Sequence, residues 1–253
     1  MMNRWIMTAA AAGAVLLSVS VSAYGQSNYV VPKAAWEGHA DLQGIWQAKN
    51  TANDDLEKHK AAQGIAAGNS FIVDPKDGKI PYLPAALAKR KANFEKRATE
   101  DSVNHCFMPG VPRLAYLPYP IQIIQTPKYI VIVSEYAHVY RTIYTDGSKH
   151  LEGLDYWNGD SRGHWEGDTL VVDVTAFNDQ TWLDKSGDYH SDQLHVVERY
   201  TRTAPDILTY EATIEDPKVY SKPWKISMPL HLDKAPNARL MEYECQDLVE
   251  QGK

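Results

Sequence analysis

Cysteine is nearly absent from this chain: its 253 residues hold two, Cys106 and Cys245. So sparse a set excludes a disulfide-dense miniature scaffold and a four-cysteine zinc site. Long apolar runs are equally scarce. Beyond one near the start, from Trp5 to Val21, no stretch is apolar enough to cross a bilayer as a helix. Basic excess is missing too, since 26 Lys and Arg stand against 32 Asp and Glu, a formal net charge of −6. With no basic stripe, nucleic acid is not an expected partner. The chain has no P-loop and no GxGxxG after a strand. It has no nucleophile elbow either, because the glycine-rich Asn158-Gly-Asp-Ser161-Arg-Gly163 precedes no helix and reads as a tight loop. The nine histidines show no HxH or HExxH spacing, so neither a metal nor a cofactor is expected.

What is present starts with a leader. Asn3-Arg4, the apolar run and Ser22-Ala23-Tyr24-Gly25 have the layout of a secretory signal peptide over 1–25. A membrane anchor is the weaker alternative, because Ala, Gly and Ser dilute the run. The expectation is a periplasmic or secreted protein with no stable membrane insertion after cleavage. In an oxidising compartment Cys106 and Cys245 are expected to form a disulfide; a catalytic thiol would need an activating neighbour. The remaining residues, roughly 230, suffice for one sizeable core. Residues 26–110 read as an N-terminal arm on a main domain over 111–253, since the arm holds too few apolar residues for a core of its own.

Within the arm, Asp41 to Trp46 reads as a short strand, with Gly44 where backbone approaches closely. Helices are expected over Asp54–Ala67 and from Pro84 onward, the second with Leu87, Lys91 and Phe94 on one face. From Ile121 the periodicity is that of strands: Tyr129–Glu135, His138–Thr145, a hairpin over Trp165–Asp173, then Leu194–Thr203, Ile207–Glu215, Trp224–Leu232 and Arg239–Gln246. About nine or ten closely spaced strands with no intervening helices predict an all-β antiparallel meander, which closes into a barrel or sandwich. A lipocalin-like barrel is favoured, with a small ligand in its interior and a β-sandwich as the alternative.

Polar residues on apolar faces carry the functional signal. Glu198 shares a face with Leu194, Val196 and Tyr200, and Arg141 shares one with Val139 and Ile143. A bare buried charge is prohibitive, so these form either an internal pair or the wall of a wet cavity. Histidine is the usual general acid or base near neutral pH, and His138, His150, His164, His190 and His195 cluster in the same region. The candidate catalytic set is Arg141, His138, Glu135, His190, His195 and Glu198. Tyr140, Tyr144, Trp157, Trp165 and Trp182 are the candidate aromatic walls for a flat ligand. Asp160, Glu166, Asp168 and Asp173 match no EF-hand spacing and read as turn residues.

Longer motifs add a resemblance. Asp41-Leu-Gln-Gly-Ile-Trp46, Cys106-Phe-Met-Pro-Gly-Val-Pro-Arg113, Arg141-Thr-Ile-Tyr-Thr-Asp-Gly147 and the Trp157–Asp173 stretch resemble a large family of exported bacterial proteins. Thr181-Trp-Leu-Asp184, Leu194-His-Val-Val-Glu-Arg199 and Glu242-Tyr-Glu-Cys245 match it too. The resemblance implies catabolism of lignin-derived aromatic dimers, including formaldehyde-releasing lyases. Together these readings predict a cofactor-independent lyase or isomerase on a small aromatic molecule, with a binding protein or carrier as the alternative. Oligomeric state is left open.

Overall fold

A computed structural model describes residues 29–35 and 38–246. The expected leader over 1–25 lies outside the described residues, in which no helix is long and apolar enough to cross a membrane. The strands are β1 (Gly44–Gln47), β2 (Ile72–Asp74), β3 (Ile121–Gln125), β4 (Tyr129–Ser134), β5 (Tyr140–Tyr144), β6 (Asp160–Glu166), β7 (Thr169–Thr175), β8 (His195–Ala204), β9 (Ile207–Glu215) and β10 (Trp224–Leu232). Two short helices, α1 (Pro84–Glu95) and α2 (Arg97–Glu100), precede β3.

The sheet order β1-β3-β4-β5-β6-β7-β8-β9-β10 closes through a β1–β10 pairing into a nine-stranded barrel, and β2 adds to the free half of β10. Alternation explains the inside face. Val196, Glu198 and Tyr200 on β8 and Leu208, Tyr210, Ala212 and Ile214 on β9 are all buried. Trp46, Tyr116, Tyr200, Tyr210 and Trp224 are buried almost completely, so side chains fill the interior where a ligand cavity was expected. Each such aromatic contributes roughly 3 kcal/mol through burial.

The stretch 26–110 supplies the strand that closes the ring. Gly44 adopts φ +140°, and a Cβ there would come within 2.6 Å of Leu232 on β10, so glycine alone permits the close approach. Ala40, Leu42, Ala52 and Leu56 pack into the same hydrophobic core as the barrel strands.

Several expectations need correction. No helix forms over Asp54–Ala67, because carboxylates capture its amides: Leu56 N–H donates to Asp184 Oδ2 and Glu57 N–H to Asp55 Oδ1. Helix α1 buries Ala86 rather than Leu87, and it docks through polar contacts of the 86/90/93 face. Residues 239–246 are not a strand, since β9 holds one edge of β10 while β1 and β2 share the other. The Asn158–Gly163 loop is largely strand β6, which runs parallel to β5 and interrupts the meander.

Cys106 and Cys245 are bonded, with Cα atoms 5.6 Å apart, and close a loop of sequence separation 139. Glu135 accepts from Met241 N–H, His138 pairs with Glu244, and Tyr119, Tyr136 and Tyr243 form a ring cluster beside the bond. A loop this long constrains the unfolded chain by about 4–5 kcal/mol in the chain-entropy account. Cys106→Ser with Cys245→Ser should therefore lower the melting temperature and expose 239–246 to protease, with little change in the far-UV spectrum. Unchanged melting and protection would show that the ring cluster and ion pairs hold this segment unaided.

Candidate functional site

The barrel has one parallel junction. β5 and β6 share two register pairs, Ile143↔Ser161 and Tyr144↔Arg162. Parallel neighbours need a crossover, and residues 145–159 provide it without a helix. Before Ile143 and Ser161 the two segments are unpaired, and a cleft of about 410 Å³ opens between them. Tyr140 and Tyr144 flank it from β5 and Trp157 from the crossover, with Leu151 and Met108 on the rim. Tyr140 is 69 % exposed, and Phe107 extends the apolar rim by packing its ring 5.0 Å from Trp157. Gly159 holds the crossover close: at φ +67°, a Cβ would lie 2.7 Å from Val174 and 2.8 Å from the Phe177 ring.

The floor of the cleft is polar. Arg141 points inward, donating from Nε to Ser161 Oγ at 2.8 Å and from Nη2 to Glu198 Oε2 at 2.5 Å. Glu198 Oε1 accepts from Tyr200 at 3.1 Å and Tyr210 at 2.8 Å. Burial works against the Arg141 charge, but Glu198 outweighs it and holds the guanidinium above its ordinary range. Burial, with the Glu198 charge, pushes both tyrosines well up. Ser161 has Gly-x-Ser-x-Gly spacing, yet it sits on a strand as the acceptor of Arg141, so no activated nucleophile is present there.

Beside the floor lies a carboxylate–histidine chain. Asp160 accepts from Arg162 Nε and Nη2 at 3.1 and 3.0 Å and from Leu151 N–H at 3.1 Å. His150 bridges Asp160 and Asp173 at 2.8 Å on each ring nitrogen, and His195 reaches the other Asp173 oxygen at 2.9 Å. Both ring nitrogens of His150 are thus engaged by carboxylates. The chain clamps the crossover loop onto the barrel.

The predicted residues therefore divide. Arg141 and Glu198 meet as an internal pair, and Tyr140, Tyr144, Trp157 and Arg141 share the cleft. The histidines named for proton transfer do not join them. His138 and Glu135 hold the 239–246 segment, and His195 lies on the outer face with Asp173. His190 is enclosed between Thr181 Oγ1 and the Ser191 carbonyl; burial depresses its pKa, and its ring has no free nitrogen. Trp165 stacks on His39 at 4.9 Å and packs against the margin of the core, while Trp182 packs within it, so neither joins the cleft. From sequence His150 stood only among the clustered histidines, and Asp160 and Asp173 read as turn residues; both carboxylates instead lie on strands, Asp160 at the start of β6 beside Ser161 and Asp173 on β7. Asp168 pairs with Lys33 and Glu166 with Arg199. Among the described residues, a group spaced to hold a metal ion lies elsewhere, at Asp55, Asp184 and Asp188.

No protein-family model, curated protein or solved structure matches the chain.

Arg141→Ala should cost about 3–5 kcal/mol, because it strands Glu198 without a counter-charge. Arg141→Met with Glu198→Gln should recover much of the loss in chemical denaturation; an equally unstable double variant would refute the pairing account. Asp173 gives a pH test. Burial raises its pKa, but the hydrogen bonds and charges of His195 and His150 outweigh that and hold it below the usual carboxylate range. A depressed pKa contributes stability that is complete above the unfolded value, about 3.9, and lost as pH falls through the folded value. Asp173→Asn should flatten that acid limb in denaturant midpoints measured from about pH 5 downward, whereas an unaltered limb rules the clamp out.

Proposed function

We propose that the chain, exported to the periplasm or beyond, binds a small aromatic compound in the β5–β6 cleft and acts on it as a cofactor-independent lyase or isomerase. The observation that carries this reading is the convergence of four aromatic residues, Tyr140, Tyr144, Tyr156 and Trp157, on a concave space of about 410 Å³ that Arg141 and Asp160 also line. That volume falls in the range of small-molecule sites, roughly 300–1,000 Å³. Each ring that stacks on a flat ligand adds about 0.5–1.5 kcal/mol beyond burial.

Asp160 is the group placed to exchange a proton with the ligand, and His150 links it to Asp173 and His195. In a formaldehyde-releasing step, a hydroxymethyl O–H gives its proton to the carboxylate. The C–C bond then breaks, leaving its electron pair on the aromatic fragment, and the proton returns to that carbon. Atoms and electrons balance without an oxidant. Arg141 supplies positive charge beside the transient anion.

A second reading, a carrier without chemistry, is favoured by one observation: both Asp160 oxygens already accept N–H donors. Incubation with a panel of lignin-type aromatic dimers, followed by mass spectrometry and a formaldehyde assay, separates the two. One compound should be consumed with an equivalent of formaldehyde, and Asp160→Asn should slow it by about 10²–10⁴-fold while ligand still binds. Tyr140→Ala should weaken binding without lowering the melting temperature. Tight binding with no product would favour the carrier. Failure to bind any aromatic would remove both readings.

A further inference from the structure

At the other side of the arm, loop 184–188 meets residue 55 and helix α1 in a second polar cluster, independent of the cleft. Asp55, Asp184 and Asp188 are all buried, and each offers an oxygen within 4.8 Å of the others. Their local geometry is built in. Asp184 Oδ1 accepts from the amides of Ser186 and Asp188, and Oδ2 accepts from Leu56 N–H. Ser186 Oγ donates to Asp55 Oδ2 at 2.9 Å. Gly187 at φ +81° lets the loop press against α1, where a Cβ would lie 2.6 Å from Asn93 Cβ.

The charges do not balance. Arg90 reaches Asp188 Oδ1 at 3.0 Å and Asp55 Oδ2 at 3.6 Å. His59, whose Nδ1 stands 3.9 Å from Asp55, is held by the Glu57 and Ala66 carbonyls. Arg113 is engaged bidentately by Asp101. Three carboxylates thus face one guanidinium and, when protonated, one imidazole. A separate observation points to what is missing. Asp188 is 1 % exposed, its Oδ1 receives Tyr82 and Arg90, and its Oδ2 is enclosed with no donor at all. That oxygen belongs to a carboxyl facing Asp184, a contact that only a shared proton or a cation makes favourable.

We infer that Asp55, Asp184 and Asp188 form a structural site for one calcium ion, with Ser186 as a further oxygen donor. The chemistry selects the ion. All these donors are hard oxygens supplied by the protein from a buried position, which suits Ca²⁺, whereas Mg²⁺ holds on to several waters and is seldom enclosed by an all-protein cage. Asp184, Ser186 and Asp188 alternate along the chain, the spacing by which calcium loops present successive oxygens. Without the ion, burial and the Asp188 charge push Asp184 well above the usual carboxylate range, and burial with Asp188 raises Asp55.

The test uses the full mature protein stripped with chelator and titrated with Ca²⁺ alone, then Mg²⁺ alone. One Ca²⁺ should bind per chain, and the melting temperature at neutral pH should rise by roughly 5–10 °C at about 100-fold above Kd. Mg²⁺ should give a smaller shift, and Asp188→Asn should abolish the calcium response. Because that variant could fail to fold, Tb³⁺ luminescence on the wild type provides a second reading: tyrosine-sensitised emission should appear, since Tyr82 donates to Asp188, and Ca²⁺ should quench it by competition. No heat, no melting shift and no sensitised emission at Ca²⁺ on the order of 10 mM would overturn the site and leave a shared proton in its place.

Discussion

Arg141 and Glu198 sit inside a barrel filled by side chains, their own only 3 % and 1 % exposed, and withdrawing them from water costs several kcal/mol for each ion. Their mutual contact offsets that cost only with every remaining lone pair and N–H well placed. Ser161, Tyr200 and Tyr210 supply those placements from β6, β8 and β9, while the ions themselves come from β5 and β8. Four strands are therefore held in one register. A slip by a single residue on any of them would turn a charge or its hydroxyl partner to the opposite face.

The same constraint explains why the cleft lies where it does. Arg141 must reach inward at the point where the meander breaks, because the next strand arrives by a crossover rather than a hairpin. Two register pairs join β5 to β6, and the unpaired lengths beside them leave backbone and side-chain groups uncovered. Asp160 and His150 then serve the fold by fastening the crossover, and they stand beside the aromatic rim for the same reason. Structural fastening and the proposed chemistry thus draw on one set of residues.

Much of this was legible in the chain. Alternation marked the inward faces of β5 and β8, and the isolated Arg141 and Glu198 on those faces called for a partner or a wet cavity. Gly44 and the cysteine pair were equally direct. The misplaced histidines show where the reading stopped short. The alternation that turns Glu198 inward necessarily turns His195 outward, a signal present in the sequence but overridden by the general reputation of histidine. His138 and His190 were less accessible: the partner of His138, Glu244, comes from a segment 106 residues away, and that of His190, Thr181, is brought over it by an irregular local loop without strand or helix periodicity. The failed helix at 54–67 belongs in part to the same class: Asp184, 128 residues away, takes the Leu56 amide that local propensity would spend on a helix, while Asp55 takes that of Glu57 locally. The parallel junction had no local marker at all.

A closed ring of strands loses its edges, and with them any obvious place to come apart. Here eight junctions are antiparallel and one is a short parallel splice held by a clamp of ionisable side chains. Such a ring has a clasp. Only two register pairs close the ring at β5–β6, as at β1–β10, and parting the strands at β5–β6 would leave every other junction paired. A molecule bound across the splice would therefore also act as a pin that helps to keep the ring shut.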